Sequence, residues 1–137
     1  MANSKSIGVA FLDQDIIGAD YVYAAGEIGY SAAGQGTVTQ ATSKSTGVTL
    51  NKSAGQITMN NASLGATTNV TFTFTNSTLS AKDVLILNVS GAATSGAYNC
   101  WVSSMSAGSA TVTLRNITGG ALSEAVVINF AIIHGAP

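Results

Sequence analysis

Val70-Thr71-Phe72-Thr73-Phe74-Thr75 sets Val and Phe on one side of an extended backbone and Thr on the other. Successive side chains of a strand leave opposite faces, so this period of two describes a strand with one buried and one wet face. Working outward, related runs recur at 37–42, 48–51, 56–59, 83–89, 97–103, 110–117 and 124–133. Turn-forming residues separate them, as in Lys52-Ser53-Ala54-Gly55, Asn60-Asn61-Ala62-Ser63-Leu64-Gly65, Ala107-Gly108-Ser109 and Thr118-Gly119-Gly120. Proline occurs only at Pro137, so none interrupts a ladder. No window repeats apolar residues at helical spacing. The expected fold is all-β, a single-domain antiparallel β-sandwich or jelly roll. The last run, Ala125 to Ile133, is apolar on both faces, which predicts a central strand or one covered by another subunit.

Residues 1–36 read differently. One strand is expected at Ile7–Leu12, followed by weakly patterned Gly/Ala-rich text through Ser31-Ala32-Ala33-Gly34-Gln35-Gly36. Such text builds little core and suits an extended N-terminal arm, the alternative being an ordinary edge hairpin of the same domain. Tyr21, Tyr23 and Tyr30 give that arm apolar area with polar tips, a combination favoured where chains meet. They are the candidate partner-binding residues. The domain reading is therefore an arm over 1–36 and a sandwich over 37–137.

Composition narrows the chemistry. Of 137 residues, 8% are charged, against roughly 25% in average soluble domains. The formal net charge is −1, which argues against nucleic acid, whose phosphates are met by clustered Lys and Arg. Lys5 stands against Asp13, Asp15, Asp20 and Glu27 in the first 36 residues, so the arm is acidic and the remainder slightly basic. No apolar run is long enough to span a bilayer. Nothing after Met1 resembles a secretion signal, so synthesis in the cytoplasm is expected. Cys100 is the sole cysteine and has no partner for an internal disulfide.

Candidate catalytic features are thin. His134 is the only histidine, and no Gly-x-Ser-x-Gly elbow accompanies it. Cys100 lies within a strand pattern with no cation or helix N-terminus to activate it, so a buried core thiol is expected. Asp13-Gln14-Asp15-Ile16-Ile17-Gly18 begins like a calcium loop, but Ile17 and Ala24 stand where its fifth and twelfth ligands belong. No metal, cofactor or catalytic residue is assigned. Tyr98 and Trp101 lie three apart on one strand and so face opposite ways, which makes one of them core. Asn-x-Ser/Thr occurs at Asn61, Asn69, Asn76, Asn88 and Asn116, as expected of a chain rich in these residues.

Five stretches of the sequence carry a resemblance. Gly36-Thr37-Val38-Thr39-Gln40-Ala41-Thr42-Ser43-Lys44-Ser45-Thr46-Gly47-Val48-Thr49-Leu50-Asn51-Lys52 continues into Gly55-Gln56-Ile57-Thr58-Met59. Asp83-Val84-Leu85, Asn88-Val89-Ser90 and Ser123-Glu124-Ala125-Val126-Val127-Ile128-Asn129-Phe130 follow. Together these resemble a family of small virion proteins of tailed bacteriophages and prophages, over roughly residues 36–134. The resemblance implies a structural protein of capsid decoration (cement) type, a homotrimer carried on the capsid surface against the major capsid protein. It implies no catalytic residues. The other reading is a tail-fibre or spike module that binds host carbohydrate. An enzyme, a nucleic-acid binder and a membrane protein are not expected.

Overall fold

A computed structural model describes residues 20–135. The expected strand at Ile7–Leu12 lies outside the described residues, as does the Asp13–Gly18 stretch that begins like a calcium loop. Among the described residues there are eight strands: β1 (Gln35–Thr39), β2 (Val48–Thr49), β3 (Ala54–Thr58), β4 (Asn69–Thr75), β5 (Val84–Gly91), β6 (Tyr98–Ser106), β7 (Ser109–Asn116) and β8 (Val127–Ile133). The only helical element among the described residues is a 3₁₀ turn at Ala32–Gly34. Among the described residues no helix is long and apolar enough to cross a membrane.

The strands form two four-stranded sheets, ordered β1-β3-β8-β5 and β2-β4-β7-β6. Phe72 and Phe74 of the opening stretch face inward with Val112 and Leu114, while Ile57, Ile128, Phe130 and Ile132 come from the first sheet. The rings of Phe74 and Phe130 meet edge to face at 4.8 Å, joining the sheets at the centre of the core. β8 lies between β3 and β5, a central strand as its two apolar faces predicted.

The sheets are mixed rather than antiparallel. β1 pairs with β3, and β2 with β4, in parallel, which corrects the antiparallel expectation. Connectivity is the reason. Each of the first five connections carries the chain from one sheet to the other and reverses its direction. Among β1 to β6, a strand and the next one in its own sheet therefore run the same way. Only β6 and β7 follow one another within a sheet, through the hairpin Ala107-Gly108, where Gly108 has φ +79°.

This weaving gives the sandwich two poles. Segments 50–53, 76–83 and 107–108 close the near pole, and 40–47, 59–68, 92–97 and 117–126 close the far pole. The parallel β1–β3 pair is unusually tight: a Cβ on Gly55 would lie 2.1 Å from the Gly36 carbonyl oxygen. β5 and β6, outer strands of their respective sheets, each carry a bulge, at Val89/Gly91 and Val102/Ser104. The extra residues are both serines with anchored hydroxyls. Ser90 donates to Asn129 Oδ1 at 2.9 Å, and Ser103 bonds Thr113 across the ladder. Bulges twist an outer strand away from flat pairing with other chains.

Candidate functional site

At the far pole, polar side chains tie four loops together. Gln40 is buried and donates to the carbonyls of Lys44 and Thr46, at 3.0 and 2.8 Å, while its Oε1 accepts from the Asn60 amide at 3.1 Å. This folds 40–46 inward and buries Lys44, which is only 3% exposed. Its ammonium donates to the main-chain carbonyls of Asn60 and Glu124. Burial pulls the Lys44 pKa below its usual value, and the Glu124 charge partly opposes that. The Glu124 carboxylate in turn accepts from Thr94, from its amide at 3.0 Å and its hydroxyl at 2.6 Å, and these bonds hold its pKa down.

Tyr98 lies beneath this network, buried, and its hydroxyl has no hydrogen-bond partner. Burial, reinforced by the nearby Glu124 carboxylate, pushes its phenol far above the ordinary range. Trp101 faces the other way, partly exposed on the outer surface and opposite Thr113. Tyr98 is thus the core member of the pair.

The near pole is closed by acceptors. Asp83 takes hydrogen bonds from the Ser80 amide (2.8 Å), the Ser80 hydroxyl (2.7 Å) and the Gly135 amide (2.9 Å). Its Oδ2 also lies 3.1 Å from His134 Nδ1. The Ser80 bonds, followed by those from Gly135 and His134, hold the Asp83 carboxyl well below the usual carboxylate range. Ser, Asp and His therefore meet, but with the carboxylate in the middle. The serine hydroxyl points to Asp83 and not to the imidazole, so this arrangement gives His134 no nucleophile to activate. It fastens the end of β8 to the 80–83 turn.

Two sequence features were more structural than composition suggested. Asn76 and Asn116 are fully buried. Each Oδ1 accepts from the amide and hydroxyl of the threonine two residues on, Thr78 at 2.9 and 2.8 Å and Thr118 at 2.9 and 2.7 Å. The Asn116 amide also donates to the carbonyls of Leu64, Gly65 and Gly120. These Asn-x-Thr triplets are turn-closing devices that the composition had concealed. Cys100 is half-buried rather than fully buried, because it sits where β6 borders an open groove; burial still raises its thiol pKa.

That groove, of about 520 Å³, opens between the end of β5, the 93–96 loop and the start of β6. Asn88, Ser90, Thr94, Ser95 and Asn99 line it, without a charged group. A second hollow of about 530 Å³ lies on the outer face of the first sheet under Tyr30, with Gln35, Gln56 and Asn129. No cluster of three metal-ligating side chains occurs among the described residues.

The three tyrosines are not brought together. Tyr21 and Tyr23 stack on one another, ring centroids 5.9 Å apart, and are 77% and 88% exposed. Tyr30 lies apart from them, its hydroxyl donating to the Ile132 carbonyl. Residues 20–31 contain no strand and no helix. No protein-family profile matches this chain, and no match is found among curated proteins or solved structures.

Proposed function

We propose that the protein is a structural component of a tailed-phage particle, decorating and stabilising the capsid as a homotrimer, with an N-terminal arm contacting neighbouring virion proteins. One observation carries this reading. Lys44, Asp83 and Glu124, three of the sandwich's charged groups, are committed to tying its loops together. The apolar side chains of residues 20–28 are meanwhile presented outward. Internal ties make a rigid body, and presented apolar side chains suit attachment. A protein that braces a shell requires both properties. The jelly-roll description belongs to the same proposal and rests on the number and spacing of the strands.

The groove at 88–99 favours a second reading, a fibre or spike module binding a neutral sugar through amides and hydroxyls. Its weakness is the lack of an exposed aromatic platform, since Tyr98 is buried. The position of the chain in an image of the particle tests both. Density over capsid joints supports decoration. Density at the tail supports the second reading, and absence from purified particles overturns both.

A further inference from the structure

The outer face of the first sheet is divided. Toward the far pole it carries the polar row Asn88, Asn129, Gln56 and Thr37, joined by strand register. Toward the near pole it becomes apolar. Val84 faces Ile133 across β5 and β8, and Ile86 faces Ala131. Val84, Ile86 and Ile133 are 56%, 48% and 57% exposed. Among the described residues this is a cluster of large aliphatic side chains left to water on a rigid surface.

The same chain presents a counterpart. Tyr21, Val22, Tyr23 and Ile28 are 60–88% exposed. The stacked Tyr21 and Tyr23 repeat at two-residue spacing, as do Val84 and Ile86 on β5, the outer strand of its sheet. Charge matches as well. Asp20 and Glu27 lie at either end of the tyrosine segment, whereas Lys82 stands two residues before Val84, beside an Asp83 carboxylate already taken up by Ser80, Gly135 and His134. The only ion pair among the described residues joins His134 to Asp83, so none of Asp20, Glu27 and Lys82 is paired with another described residue.

We propose that the apolar outer face of β5 and β8 is the docking surface for residues 20–28 of a second copy of this chain. Tyr21 and Tyr23 lie against Val84 and Ile86, and the arm's carboxylates approach Lys82. Tyr30, bonded to the Ile132 carbonyl, fixes where each arm leaves its own sandwich. Within one copy, segment and face both remain exposed, so the contact passes between copies. An arm-to-face contact is met either by reciprocal exchange in a two-fold dimer or head-to-tail around a ring, and the sedimenting mass tells the two apart. The inference deepens the assembly reading above and rests on it for its setting, yet needs no capsid to be tested.

Sedimentation velocity on the full chain and two variants decides it. The natural chain should sediment as an oligomer. Tyr21→Ser with Tyr23→Ser, removing the arm's contact groups, should sediment as a monomer, as should Ile86→Glu, which places a like charge on the face. Mixing the two variants should restore a complex, since one retains the face and the other the arm. A monomeric natural chain, variants that still associate, or a mixture that stays monomeric would each overturn the inference. Ile86→Thr keeps the β-branched shape and should weaken association with the unfolding midpoint unchanged, separating a docking defect from a folding defect. An intact oligomer that fails to bind capsids would instead sink the decoration reading alone.

Discussion

Asn76 and Asn116 occupy matching positions at opposite ends of the β4–β7 ladder, and each closes the turn that follows its strand through the threonine two residues on. Asn76 also donates to the Lys52 carbonyl at 2.6 Å, and Asn116 to three carbonyls. Both poles of the second sheet are thus sealed by the same device.

Replacing either asparagine with Ala leaves buried carbonyls without donors, so each substitution should destabilise the fold by about 2–3 kcal/mol. The sites sit at opposite ends of a strand pair, so the double variant should lose nearly the sum. Urea unfolding measures both. A change within experimental error for Asn116→Ala would contradict the turn-closing role.

Tyr98→Phe should act in the opposite direction. The hydroxyl it removes is buried without a partner, so the variant should be unchanged or more stable by about 1 kcal/mol at neutral pH. The phenol pKa is raised in the folded state, so the native protein keeps a proton that the unfolded chain sheds above about pH 10. Stability should therefore fall as pH rises beyond that value, and this part of the decline should vanish in Tyr98→Phe. Thermal melts across the alkaline range supply the comparison.

Acid should act through Asp83 and Glu124. Both carboxyls titrate lower in the folded protein than in the unfolded chain. Their contribution is complete above the unfolded values near about pH 4 and is lost as pH falls through the folded ones. Asp83→Asn should lower stability at neutral pH and flatten the decline below about pH 4. An unchanged acid limb in unfolding experiments would show that Asp83 is not its source.

Gly55 offers a steric test. Its Cβ would meet the Gly36 carbonyl oxygen at 2.1 Å, so Gly55→Ala must push β1 from β3 and should cost about 2 kcal/mol or more. Gly119→Ala, with open space around the new methyl, is the control. Equal melting temperatures for the two variants would refute the close pairing.

The strands were legible because burial of one face imposes a period of two. The Val70–Thr75 reading coincides with β4 to within one residue, and the last apolar run does mark the central strand. Parallel pairing was not legible, since the crossing between sheets follows from how the layers pack and leaves no mark in any one strand. The expected run at 37–42 stops at Thr39 because Gln40 turns inward to organise the loop. Lys44 reads in sequence as a solvated cation among serines. Only the fold supplies the two carbonyls that draw it inside. The Asn-x-Thr triplets were visible, but their role depends on falling where β4 and β7 end.

The chain enters the sandwich at Gln35 and leaves it at Ile133, residues that register through Ala54, Ala131 and Val84 at the same pole. Whatever grips the polypeptide on either side of the sandwich therefore grips one end of it, and the far-pole loops project away from the attachment. The body behaves as a post planted by its base. A short foreign peptide inserted beside Gly96, where there is open space at φ +71°, would be displayed outward, making the domain a ready carrier for presented epitopes.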